Sequence, residues 1–89
     1  MQLVINNISN IIIQWGKGAT DNDGVSRITL PLSFSSIDYG VSAIHSGGDV
    51  AIYAIHHDYK SPSFLPIFCK NRAGDYSNGW VIYWIAVGY

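Results

Sequence analysis

Trp80-Val81-Ile82-Tyr83-Trp84-Ile85-Ala86-Val87-Gly88-Tyr89, the last ten residues of the sequence, carry no charge, and their reading decides the fold class. Side chains along a strand alternate between two faces. Trp80, Ile82, Trp84 and Ala86 therefore fall on one side, and Val81, Tyr83, Ile85, Val87 and Tyr89 on the other. Both sets are apolar or aromatic. A strand at the surface of a single sheet needs only one apolar face. This one asks for a cover on each face: a second sheet on one and, in a chain of 89 residues, another copy of the chain on the other. The stretch is too short for a membrane span, which takes ~20 apolar residues.

Composition points the same way. Hydrophobic residues make up 48% of the chain and charged residues 12%, about half the usual charged share. So few charges on a small domain imply that part of its surface is interface. Thirteen Ile, six Val and twelve aromatics stand against four Leu and no Glu, a set that suits pleated strands rather than helices. The acidic residues are all Asp, at 21, 23, 38, 49, 58 and 75, mostly beside the Gly, Asn and Ser of turns. The formal charge of −1 gives no electrostatic basis for binding nucleic acid or an anionic membrane. A single cysteine, Cys69, excludes an intrachain disulfide and reads as a small core residue. The opening Met1-Gln2-Leu3-Val4-Ile5-Asn6-Asn7 lacks the positive segment of a signal peptide.

Residues 1–10 read as a lead-in segment, the end of something longer, and 11–89 as one domain. The first strand is Ile11-Ile12-Ile13-Gln14-Trp15, bounded by Gly16 and Gly18, with a loop to Gly24 that closes on an Asp23-Gly24 two-residue turn. Strand two, 25–34, puts Ile28, Leu30, Leu32 and Phe34 on one face, and Pro31 marks an edge or a bulge. Strands three and four, 39–46 and 50–57, flank the Gly47-Gly48-Asp49 turn; strand five, 64–70, holds Pro66, which again suits an edge; strand six is 80–89. The sum is an all-β, six-stranded antiparallel β-sandwich.

Three pieces carry a family likeness: Ile11-Ile12-Ile13-Gln14-Trp15-Gly16, Ile28-Thr29-Leu30-Pro31-Leu32-Ser33-Phe34 and Tyr83-Trp84-Ile85-Ala86-Val87-Gly88-Tyr89, in that order. Together they resemble the C-terminal tip domain of bacteriophage tail-fibre proteins, and the final strand is similar to that of the H-type lectins. The resemblance implies a homotrimer that binds a host-surface receptor, often a glycan, joined to an upstream fibre shaft on the virion. Leu30, Leu32 and the His56-His57 pair depart from the family pattern.

Six alternating strands sort the loops by parity: 17–24, 46–49 and 71–79 at one end, and 35–38, 58–63 and both termini at the other. With the N-terminus on a shaft, the first set is distal. Sugar recognition calls for planar polar groups and an aromatic face. The distal loops offer Asp21, Asn22, Asp23, Asp49, Asn71, Arg72, Asp75, Tyr76 and Asn78 as candidate ligand-binding residues, with Tyr76 and Trp80 as stacking faces. The same residue types are also ordinary turn formers. Trp15, Tyr83, Ile85, Val87 and Tyr89 are the candidate trimer interface.

No catalytic residue, metal ligand or cofactor is assigned. Asp21-Asn22-Asp23-Gly24 faintly resembles a calcium loop, but such a loop closes on a Glu that this chain lacks. His56 and His57, adjacent on a strand, point to opposite faces and cannot share one ion within a chain. His45, Ser46 and Asp49 lack the sharp nucleophile turn and oxyanion hole of a hydrolase. The reading is a non-enzymatic receptor-binding fibre tip; its rivals are a free-standing trimeric H-type-like lectin and a structural trimerisation cap without ligand.

Overall fold

The computed structural model describes residues 2–6 and 11–89, with side chains from Ile11 onward. Among the described residues there are seven strands and no helix: β1 (Gln2–Asn6), β2 (Ile11–Ala19), β3 (Val25–Thr29), β4 (Gly40–His45), β5 (Ile52–Ala54), β6 (Phe64–Lys70) and β7 (Val81–Gly88). All pairings are antiparallel. They build two sheets, ordered β1-β2-β7-β4 and β3-β6-β5. The six strands of 11–89 answer to the six expected, and β1 is an addition in the segment read only as a lead-in.

β7 behaves as its alternation requires. Ile82, Trp84 and Ala86 are buried in the core with Leu65, Ile67 and Cys69 of β6 and Ile28 of β3. Tyr83, Ile85 and Val87, on the opposite face, are each at least 40% exposed. Flanked by β2 and β4, β7 is a central strand of its sheet.

The first strand runs past the glycines expected to bound it, to Ala19. A Cβ on Gly16 would sit 3.0 Å from the Trp84 ring, and one on Gly18 would sit 2.5 Å from Ser26 Oγ. These glycines mark a close approach of side chains from the neighbouring strand and the opposite sheet, not a chain turn. Beyond β3 the alternation persists without a sheet partner. Leu30 donates its amide to Ser63 O, Phe34 to Pro62 O, and Leu32 donates to Gln14 Oε1 and accepts from Gln14 Nε2. Pro31 therefore lies where the ladder has already ended, and β3 is an edge strand as expected. β6, by contrast, is the middle strand of its sheet, which corrects the edge reading of Pro66. Pro66 is tolerated because β5 pairs only with 68–70, so that among the described residues no strand lies beside it on the side away from β3.

The strand expected at 50–57 shortens to Ile52–Ala54. His56 and His57 consequently lie beyond the strand: His56 O accepts the amides of Tyr59 and Lys60 in a turn, and the His56 ring packs 4.5 Å from that of Phe68.

Candidate functional site

The loops after β2, β4 and β6 meet at one end of the sandwich, as parity requires. At that end Ala19 pairs with Val81, His45 with Ile82, and Ile52 with Lys70. Thr20, buried there, is the clamp: its amide donates to Trp80 O, its Oγ1 accepts from the Trp80 amide at 2.8 Å, and its carbonyl accepts from Gly79. The other end holds the C-terminal Tyr89, whose carbonyl accepts the Ser35 amide at 2.7 Å. The N-terminal side departs from expectation. β1 turns the chain back along β2, so Gln2 lies beside Trp15 at mid-height.

Two of the three loops are built on one plan. Asp21 Oδ1 accepts the amides of Asp23 and Val25, Asp21 N donates to Val25 O, and Gly24 N returns to Asp21 O with Gly24 at φ +75°. Asn71 Oδ1 accepts the amides of Ala73 and Asp75, Asn71 N donates to Asp75 O, and Gly74 N returns to Asn71 O with Gly74 at φ +88°. Each is an Asp or Asn followed three residues later by a glycine in the left-handed region. The sequence signal was the spacing Asx-x-x-Gly at 21–24 and 71–74. It replaces the two-residue turn expected at Asp23-Gly24, since the closing carbonyl belongs to Asp21.

Of the nine candidate ligand-binding residues, three have side chains tied into the scaffold. Asp21 holds its turn and pairs with Arg27. Asn71 holds the second turn. Asp49 Oδ1 accepts from the Val50 amide and from Arg72 Nε at 3.0 Å. Those two hydrogen bonds, backbone first, hold the Asp49 carboxyl below its ordinary range. Asn78 Nδ2 donates to Asn22 Oδ1 at 2.8 Å, joining the first and third loops, and Arg72 joins the third to the second. Asn22, Asp23, Arg72, Asp75, Tyr76 and Asn78 remain exposed. Tyr76 has the Lys70 ammonium 4.6 Å from its ring centroid. The second stacking face is not free: the Trp80 ring stacks on His45 at 4.2 Å, and His45 Nδ1 lies 2.8 Å from Val81 O. Among the described residues, no group of three His, Cys, Asp or Glu is placed to hold a metal ion.

The candidate interface residues fall on one surface. Antiparallel partners share a face. Trp15 lies opposite Ile85, and Ile44 opposite Tyr83, on the side of the first sheet away from the core. Trp15, Ile44, Tyr83, Ile85, Val87 and Tyr89 are all exposed there or at its end. A shallow depression of about 420 Å³ lies between Ser42, Ile44, Tyr83 and Ile85. Ile44 was missed because strand three was read without its partner; its place opposite Tyr83 puts it on this face. A second feature outside the expectations is a groove of about 400 Å³ on the outer face of the other sheet, lined by Arg27, Tyr59, Phe64, Pro66 and Phe68.

Fold and surfaces define the class: an antiparallel β-sandwich module with stitched loops gathered at one end and an uncovered apolar sheet face along its length. A family model described as "Putative tail fiber protein gp53-like, C-terminal" matches residues 8–89, and the chain belongs to that family. The family is a structural domain of tail fibres, which are parts of the phage particle, and the membership bears out the likeness read at 11–16, 28–34 and 83–89. No curated protein matches the chain.

Proposed function

We propose that the chain is the receptor-binding tip of a phage tail fibre, that it works as a homotrimer, and that its loop end meets a host-surface receptor of glycan type. The observation that carries this reading is the gathering of the loops 20–24, 46–51 and 71–80 at the end opposite Tyr89, cross-tied by Asn22–Asn78 and Asp49–Arg72. Membership of the tail-fibre family supports a place at a fibre. With the shaft on the Tyr89 side of the sandwich, the stitched loops would be outermost.

The chemistry suits hydroxyl-rich ligands. Asn22, Asn78 and Arg72 present planar donors and acceptors, and Tyr76 an exposed ring for the C–H face of a sugar. Turns held by Asp21 and Asn71 limit the ordering cost on binding. Shallow sites of this kind bind weakly one at a time, and three per tip, repeated over several fibres, raise the effective affinity by multivalency. The uncovered Trp15–Tyr83–Ile85–Val87 face supports the trimer.

The test is adsorption of the chain to host cells, with a glycan array as the soluble counterpart. Arg72→Ala with Asn78→Ala is expected to weaken binding about tenfold or more. Unchanged binding in that variant, with loss in Tyr59→Ala and Lys60→Ala instead, overturns the loop-end assignment. A wild-type chain that is trimeric but binds neither cells nor glycans leaves a structural cap.

A further inference from the structure

Among the described residues, the sheet that carries the uncovered apolar face also has two unpaired edges, β1 and β4. Open edges offer rows of free amides and carbonyls to another chain. These two edges match in direction: β2 runs antiparallel to β1 and to β7, and β7 antiparallel to β4, so β4 runs opposite to β1. Rotation about an axis along the strands preserves strand direction, so a neighbour's β1 set beside β4 makes an antiparallel pair. A threefold ring requires such a heterologous contact, one edge of each chain against the other edge of the next.

Size decides whether the ring can be filled. Four strands at ~4.8 Å make a side ~19 Å wide, and an equilateral prism of that side has its walls ~5.5 Å from the axis. Face-to-face sheets pack ~10 Å apart, so ~5 Å from a shared midline. Three-stranded walls would stand ~4 Å from the axis, too close for Trp15 and Tyr83, and five-stranded walls ~7 Å, leaving a channel. The strands of each wall are 5, 9, 8 and 6 residues long, so it offers a footprint of roughly 440 Å². With the two edges added, that approaches the ~800 Å² per partner of a stable interface.

We propose that three copies close edge to edge, β4 of each pairing with β1 of the next, into a twelve-stranded prism with Trp15, Tyr83, Ile85 and Val87 inside. This rests on the trimer reading above and gives residues 2–6, which precede the family match, a role in assembly.

The experiment is amide hydrogen exchange by NMR on the full chain, with its mass measured by light scattering. Ser46 N donates to Val81 O, so the amides of Ser42 and Ile44 face β7 and those of Val41 and Ala43 face the free edge. Through β7 and β2, Val41 stands level with Leu3 and Ala43 with Gly16, one place beyond Gln2, so Val41 is the edge-facing amide that a neighbour's β1 would cover. The expected result is a trimer in which Val41 exchanges within about tenfold of Ser42 and Ile44. A trimer in which it exchanges about a hundredfold faster overturns the edge pairing and leaves the trimer standing; a monomer overturns both. Val41→Pro, which deletes an edge-facing amide and none toward β7, is expected to reduce the mass to one chain with the β-sheet circular dichroism retained. A trimeric Val41→Pro counts against the pairing, and if that variant does not fold, the wild-type exchange decides.

Discussion

Gln14 is the one long polar side chain wholly buried among the described residues, and its geometry explains why it is there. Its amide donates to Leu32 O at 2.8 Å while its carbonyl accepts from Leu32 N at 3.1 Å, so it stands in for a missing strand beside the 30–34 segment. Gln14→Leu keeps the volume and strands both Leu32 groups. Since Leu32 is only half-buried, water recovers part of the loss, and the expected cost is about 2 kcal/mol in urea denaturation. Gln14→Glu adds a test of sign. Burial raises a carboxyl's pKa, so this variant is least stable near neutral pH, and its stability rises as pH falls through the raised value, where the protonated acid can again donate. A variant that loses stability monotonically on acidification contradicts the donor role. Tyr39 supplies the alkaline counterpart. Its ring is buried on Phe34, its hydroxyl donates toward Ser61 O and Phe64 O, and burial pushes its phenol up to about 12. The unfolded phenol ionises near pH 10. The stabilisation is therefore complete below pH ~10 and lost as pH rises toward ~12, on the order of 2 kcal/mol in all. Denaturation midpoints in this window should fall more steeply in the wild type than in Tyr39→Phe.

At the scale of elements, β2 shows what a sequence read without partners misses. Gly16 and Gly18 look like strand breakers, and only the Trp84 ring and Ser26 Oγ above them show that they are spaces left for neighbours. Gly18→Ala is therefore expected to be destabilising by ~1–3 kcal/mol in thermal or urea unfolding, with most of the loss recovered in Gly18→Ala/Ser26→Ala, which removes the clashing hydroxyl. Equal losses in single and double variants would place the cost in the backbone instead. The same limit governs the rest. β7 was legible because its alternation is local, and the loop ends were legible because parity needs only a strand count. The lengths of β2 and β5, the place of Pro66 and the stacking of Trp80 on His45 depend on cross-strand partners that no local pattern encodes. In the candidate site, loop proximity was readable, but the division between residues that stitch turns and residues left exposed was not. Asp21 and Asn22 look alike in sequence, yet only the first closes a turn.

At the scale of the molecule, the exposed apolar face and the scarcity of charge pose one problem, which the proposed trimer would solve. Tyr83, Ile85 and Val87 point outward from a central strand, where solvent contact forfeits ~25 cal/mol per Å² of apolar surface. Association recovers that term and, by mass action, couples stability to concentration. The melting temperature of the wild-type chain should therefore rise over a hundredfold concentration range. Ile85→Lys places an ammonium at the centre of the face, opposite Trp15 and Ser42. Ile85 lies on the face away from the core and is 40% exposed, so the variant is expected to fold as a monomer whose melting temperature no longer depends on concentration. Its binding to an immobilised receptor should drop to that of a single site, while Arg72 and Asn78 remain intact on each chain. If Ile85→Lys instead unfolds at every concentration, the side chain serves the protomer's own stability; if it melts and sediments like the wild type, the face is not an interface.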